Sequence, residues 1–307
     1  MSKLYIIGNG FDINHGLKSC YKDFLKYVCL YHHDEFHRIG KMFGTGNPSF
    51  LWKDFENNLA CFDVNRSICL NLIPLVKQAR LYPERNLDIF TTLENACDGL
   101  YSDIGLLFKQ WFEDRIVHMI VNPKYQLSPD DYYVSFNYTS LLESVYGIPS
   151  DHICYIHRNL FENDVTMPIF GHGLTDDTIA QRVKIDSKAK RIIGEARVNI
   201  EDVKETYITL IRDFRKNVKE GLDNLESFFG IFEGVSIDKL VILGHSIGDS
   251  DYKYFLKTAN TIKPNSLIYY SYYNEDEKDL LFEKLNDLFS HSERIRGDRM
   301  ENIITAL

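Results

Sequence analysis

The sequence predicts an α/β protein with a Rossmann-like, mostly parallel sheet and large helical insertions. Three observations carry this. Short apolar runs alternate with segments of helical period, the pattern of a parallel sheet covered by helices. Polar or glycine-rich residues stand at the carboxyl ends of four of those runs, at 8–12, 137–139, His157 and 244–251, and open α/β sheets bind ligands beyond the carboxyl ends of their strands. The chain has 307 residues, 44% hydrophobic and 13% aromatic, which describes a packed globular protein with ample core.

The first strand is "LYII" at 4–7, short, β-branched and aromatic, stopped by Gly8. Gly8 and Gly10 form G-x-G, Gly16 follows six residues on, and Asp12 stands at the start of the next helix. A strand that feeds a glycine bend and then a helix suits phosphate approach, because glycine admits backbone N–H groups close to an anion and the helix N-terminus adds positive charge. The same glycines also suit a tight turn and nothing more. The spacing is neither the full dinucleotide fingerprint nor a P-loop, which needs Gly-Lys-Ser/Thr.

Helical spacing follows at 21–31 (Tyr21, Phe24, Leu25, Val28) and at 50–62 (Leu51, Phe55, Leu59, Phe62), with the glycine-rich loop "GKMFGTGNPS" at 40–49 between them. Residues 68–79 and 87–121 continue in helical period, interrupted near 81–83. "YYVSF" (132–136) returns to strand composition and leads into a short helix at 139–146; "ICYIH" (153–157) is another strand, and "MPIFGHG" one more, ending at Gly171. Residues 176–233 are polar and helical and include the basic run "RVKIDSKAKR" at 182–191. "KLVILGHSIGDSDYKYF" gives strand, glycine turn and helix, "SLIYYSYY" a further strand, and 275–289 the helix after it. The expectation is a single α/β domain over 1–307 with helical insertions at about 20–121 and 176–233.

The net charge of −9 argues against a protein that binds nucleic acid with its whole surface. Six cysteines without a C-x-x-C pair suit free thiols in a reducing compartment better than zinc or a disulfide framework. No basic n-region precedes a long apolar stretch, and no run approaches the ~20 apolar residues of a membrane span. The expectation is a cytoplasmic protein with no signal peptide and no membrane contact.

"IIGNGFDINHGLKSCYKDF", "WKDFENNL", "VSFNYTSLLE" and "ILGHSIGDSDYKYF" together resemble bacteriophage abortive-infection proteins of the AbiH type, in order and over nearly the whole chain. That resemblance implies a part in sacrificing an infected bacterial cell and names no reaction. It leaves room for a phage-derived trigger and a homo-oligomer as partners. A more distant likeness is to sirtuin-type NAD-binding domains, whose pattern reads G-A-G-x-S-x-x-S-G-I-P, then T-x-N-x-D, then H-G, then G-T-S. Gly8, Gly10 and Gly16 fall in register with the first pattern, Asn137 matches the asparagine, His157 the histidine, and Gly244 with Ser246 the last pair. This resemblance implies a sirtuin-like fold that binds NAD and cleaves it to nicotinamide and ADP-ribose, with NAD as substrate and no further cofactor. Gly8, Asn9, Gly10, Asp12, Gly16, Gly244 and Ser246 would then bind the nucleotide, and Asn137 and His157 would carry the chemistry. The departures are Asp12 for serine, Lys18 for proline, Thr139 for aspartate and Arg158 for the glycine after the histidine. The zinc-binding C-x-x-C pairs of deacetylating sirtuins are absent, which argues against deacetylation.

Cleaving the nicotinamide glycosidic bond needs a held ribose, a poised hydroxyl or water, and a base near neutral pKa. An unperturbed imidazole has that pKa, which makes His157 the candidate base, and the Asn137 amide offers both donor and acceptor. The bland alternatives are a strand-end histidine bound to backbone and an asparagine N-cap. Two other functions compete: a non-catalytic nucleotide sensor, and a serine hydrolase. The latter rests on Gly244-His245-Ser246-Ile247-Gly248, a G-x-S-x-G between strand and helix, with Asp276 or Asp287 and then His291 in triad order. Little chain follows Ser246 for such a fold, and no H-G-G-G oxyanion loop appears. Asp249 and Asp251 are expected to cap the following helix. His32, His33 and His37 share a helical spacing, but a solvated face explains them better than a metal site, and no metal is expected. Glu56 either reaches the site as a carboxylate or faces solvent.

Overall fold

The structure, a computed structural model, describes residues 2–45, 55–160, 167–230, 237–290 and 292–307. Among these residues six strands form one all-parallel sheet: β1 (Ser2–Ile7), β2 (Tyr132–Ser135), β3 (Ile153–Tyr155), β4 (Ile237–Leu243), β5 (Leu267–Ser271) and β6 (Ile295–Asp298). Their order is β3-β2-β1-β4-β5-β6. This is the doubly wound arrangement, and the strand order reverses between β1 and β4. The sequence's Rossmann-like α/β class is therefore the observed one.

β1 is central because its composition demands cover on both faces. Leu4, Tyr5, Ile6 and Ile7 are each at most 1% exposed. Tyr5 stacks on Tyr133 of β2, with ring centroids 5.0 Å apart. The alternate residues Leu4 and Ile6 join Val134, Leu240, Ile242 and Ile268 in a core completed by helix residues such as Leu225, Phe255 and Leu281.

The chain divides into two compact units. One, Met1–Cys20 with Phe112–Ile169 and Asn217–Leu307, holds all six strands. The other, Tyr21–Trp111 with Phe170–Lys216, is helical in its described residues. Five of its helices begin at side-chain caps: Asp63, Asp88, Thr175, Asp186 and Asn199 each accept a backbone N–H of the first turn. Its core is aromatic, with Phe24 against Phe108 and Trp111 at 5.1 and 5.4 Å and Phe43 stacked on Phe62 at 4.1 Å. Among the described residues no helix is long and apolar enough to cross a membrane.

Several elements differ from the sequence reading. Helices Tyr21–Tyr31 and Glu275–Phe289 have the expected bounds, while the helix expected at 139–146 is only Leu141–Ser144. The helix expected at 50–62 is seen as Phe55–Asn58, and residues 50–54 lie outside the described residues. The 40–49 loop begins late, because helix His33–Met42 runs through its first residues, and 46–49 lie outside the described residues. "MPIFGHG" is no strand: Pro168 has no N–H to give a ladder, and the segment makes one isolated bridge, His172 to Arg215. β6 and helix Met300–Ala306 go beyond the sequence reading. β6 is an edge strand with a single buried apolar residue, Ile295, too little for a strand pattern.

Candidate functional site

The four predicted stretches do stand at the carboxyl edge of neighbouring strands. Gly8 follows β1, Asn137 lies just past β2, His157 just past β3, and Gly244 follows β4. At the reversal point the β1 and β4 turns interlock. Gly8 N–H donates to Leu243 O and Gly10 N–H to Gly244 O, each at 2.9 Å, and Phe11 N–H donates back to Gly8 O. A Cβ on Gly8 would lie 2.5 Å from Gly244 O, and one on Gly10 2.8 Å from Gly244 Cα. Gly244 itself has φ +65° and would place a Cβ 2.3 Å from Phe11 N. These glycines admit the protein's own chain, and the three amides are used by its own carbonyls.

Asn9 sits in the Asn9–Asn14 helix with its side chain held by Ser19: Asn9 Nδ2 donates to Ser19 O at 3.1 Å, and Ser19 Oγ donates to Asn9 Oδ1 at 2.6 Å. Gly16, at φ +87°, lies beyond the other end of that helix, where a left-handed residue ends helices. His15 fastens the same end. Its Nδ1 donates to Phe11 O at 2.8 Å, so its Nε2 accepts from Tyr146 Oη at 2.6 Å.

Asp12 is 1% exposed and is the centre of a polar cluster. Asn137 Nδ2 donates to Asp12 Oδ1 at 2.8 Å and to Gly8 O at 3.1 Å, and Thr139 Oγ1 donates to Asp12 Oδ2 at 2.7 Å. Burial pushes the Asp12 carboxyl up to about 7, against the lowering by the Thr139 and Asn137 hydrogen bonds. With both donors of the Asn137 amide spent, its buried Oδ1 has no hydrogen-bond partner among the described residues.

His157 is 4% exposed. Its Nε2 lies 3.8 Å from Asp251 Oδ1, and His245 Nε2 lies 3.6 Å from Asp251 Oδ2. Phe136 packs edge-on against both imidazoles, at 5.4 and 4.3 Å between ring centroids. Asp251 is in N-cap position for helix Tyr252–Thr261 but makes no side-chain capping hydrogen bond. Its carboxylate faces the two histidines instead. Arg158 takes φ +70°, a backbone that glycine adopts freely and other residues rarely do. Its guanidinium turns to Glu220 in a two-pronged ion pair, with Nε and Nη2 each 2.8 Å from a carboxylate oxygen.

The remaining candidates lie apart from this cluster or are otherwise engaged. Ser246 is exposed in a loop, and the following helix begins only at Tyr252, unlike the sharp strand–turn–helix of a nucleophile elbow. Asp276 and Asp287 are exposed, and His291 lies outside the described residues. Glu56 belongs to the helical unit, where Lys216 Nζ donates to it at 3.0 Å. His33 and His37 meet Nε2 to Nε2 at 3.2 Å on an exposed face, and no group of three metal-ligating side chains occurs among the described residues. In the basic run Arg182 donates to Ala60 O at 3.0 Å, and Lys184, Lys188, Lys190 and Arg191 are exposed.

The sequence reading missed His245, missed Asp251 as anything but a cap, and missed Thr139 as a partner of Asp12. The position of His245, directly after the β4 glycine, was the available clue. A family model described as bacteriophage abortive infection AbiH matches residues 4–272. No curated protein and no solved structure matches the chain.

Proposed function

This chain belongs to the bacteriophage abortive infection AbiH family, and we propose that in that defence role it binds NAD and hydrolyses it to nicotinamide and ADP-ribose. The Asp12–Asn137–Thr139 cluster carries the reading. It keeps a hydroxyl–carboxylate pair with its members exchanged relative to the sirtuin-type pattern, and it holds Asn137 so that one buried acceptor is left over. A buried acceptor with no partner costs about 1–3 kcal/mol, a cost that a ligand hydroxyl or a bound water would relieve.

In this reading Asn137 Oδ1 accepts from a ribose hydroxyl or from the attacking water. His157 takes the water proton as oxygen bonds to the anomeric carbon, and the glycosidic C–N bond breaks with its electron pair leaving on nicotinamide. A non-catalytic nucleotide sensor is the second reading, favoured by the burial of His157 at 4% exposure.

The test is NAD and nicotinamide measured in phage-infected cells that carry the wild type, His157→Ala or Ser246→Ala. Cleavage predicts NAD loss with the wild type. His157→Ala should abolish it, since a general base contributes on the order of 10²–10⁴-fold. Losing the Ser246 hydroxyl should cost about tenfold or less. Protection of the culture with NAD unchanged would sink hydrolysis and favour the sensor. A loss confined to Ser246→Ala would point to serine chemistry.

A further inference from the structure

We infer that Asp251 is a positioning residue for His157, sharing its carboxylate with His245 so that Nδ1 of His157 is the nitrogen left to accept a proton. The inference rests on the reading of His157 as the base. The geometry begins with His245. Its Nδ1 accepts the Ile247 N–H at 2.9 Å, so in the neutral ring the proton sits on Nε2, which points at Asp251 Oδ2 from 3.6 Å. The other oxygen of the same carboxylate faces His157 Nε2 from 3.8 Å. A carboxylate at that range favours the Nε2–H tautomer of His157 and stabilises the imidazolium, as the aspartate of a serine protease triad does for its histidine. The basic lone pair is then on Nδ1.

Side-chain exposures of 5% for His157, 6% for His245 and 12% for Asp251 put this charge sharing largely out of water, where it is poorly screened. The backbone supports the same arrangement. Ile247, buried and non-glycine, is held at φ +50°, and Lys284 Nζ donates to its carbonyl at 2.6 Å. This locks the loop that carries His245 and Asp251 past the end of β4. Among the described residues, other titratable or charged groups around His157 include Tyr138 and Tyr254, whose rings lie 5.8 and 6.5 Å away, and the neighbouring Arg158, whose guanidinium is taken by Glu220.

One carboxylate shared between two imidazoles makes a prediction of opposite signs. Asp251→Asn keeps the shape and removes the charge, so the protonation midpoint of His157 should fall by about one pH unit or more. His245→Asn retains an acceptor for the Ile247 N–H but removes Nε2, and with it an imidazole that competes for the carboxylate, so the midpoint of His157 should rise. The measurement is an NMR titration of the His157 imidazole in the full chain, wild type and both variants, without NAD. Opposite shifts support the proposal; no shift, or shifts of the same sign, overturns it. If Asp251→Asn does not fold, the sign of the His245→Asn shift decides alone. The titration needs no substrate, so opposite shifts beside a wild type that releases no nicotinamide would leave the pairing standing and remove the hydrolysis reading. Where NAD is cleaved, the acid limb of the kcat profile in Asp251→Asn should move down in pH with the NMR midpoint.

Discussion

Asp12 shows how much a single buried group sets. Its carboxyl is moved from 3.8 to about 7 by burial, so between those pH values the folded chain holds a proton that the unfolded chain has released. Stability therefore falls as pH rises through that window, by on the order of 4 kcal/mol in all, and levels off above it. Asp12→Asn abolishes the titration and still offers one oxygen to Asn137 and an N–H to Thr139. We expect its denaturant-derived stability to be nearly flat from pH 4 to 7 where the wild type declines, and to exceed the wild type at pH 8. Asp12→Ala leaves one N–H of the Asn137 amide and the Thr139 hydroxyl without an acceptor and should lose about 1–3 kcal/mol even at pH 5. A pH curve for Asp12→Asn parallel to that of the wild type would show that Asp12 ionises freely in the fold. From sequence, Asp12 and Thr139 were two separate departures from a pattern. Nothing in one dimension says that residues 127 positions apart share a hydrogen bond.

At the scale of elements, the β1 and β4 turns are one interlocked piece, and the glycines divide by the work they do. Gly244→Ala meets both obstacles at once, a left-handed φ and a backbone nitrogen 2.3 Å from the new Cβ. It should cost about 2–5 kcal/mol, from conformational strain plus overpacking. Gly16→Ala has a left-handed φ but no atom within 4 Å of the new Cβ, so only the strain of about 1–2 kcal/mol applies. Thermal melts of the two variants check this ranking, and equal losses would mean that the turns separate readily. Five of the strands, their boundaries to within a residue or two and their carboxyl ends were legible, because β1, β2, β4 and β5 are dense in apolar and aromatic residues and stop at polar or glycine positions. What the glycines face was not legible. Gly8-x-Gly10 reads the same whether an anion or Gly244 occupies the space. β6 was invisible because Arg296, Gly297 and Asp298 gain strand character only by pairing with Tyr269, Tyr270 and Ser271. The 167–173 run failed the other way, apolar enough for a strand but without a ladder to join.

For the molecule as a whole, the sheet order makes the beginning of the chain its structural centre. β1 pairs with β2 on one side and β4 on the other, and its register with β4 joins Leu4 to Leu240 and Ile7 to Leu243. Here the amides of Leu4 to Ile7 lie in a central strand whose side chains are at most 1% exposed, so they can exchange only when the sheet itself opens. Hydrogen-exchange mass spectrometry or NMR should therefore find the slowest amides of the strand-bearing unit at the start of the chain, with the edge strands β3 and β6 exchanging faster. Deleting residues 1–7 should remove the cooperative unfolding transition of that unit, because β2 and β4 would lose the strand between them. The Asn9–Asn14 helix would lose its anchor with it, and so would Asp12, leaving Asn137 without its two acceptors. Rapid exchange at Leu4 to Ile7, or a cooperative transition that survives the deletion, would mean that β4 and β5 nucleate the sheet without β1.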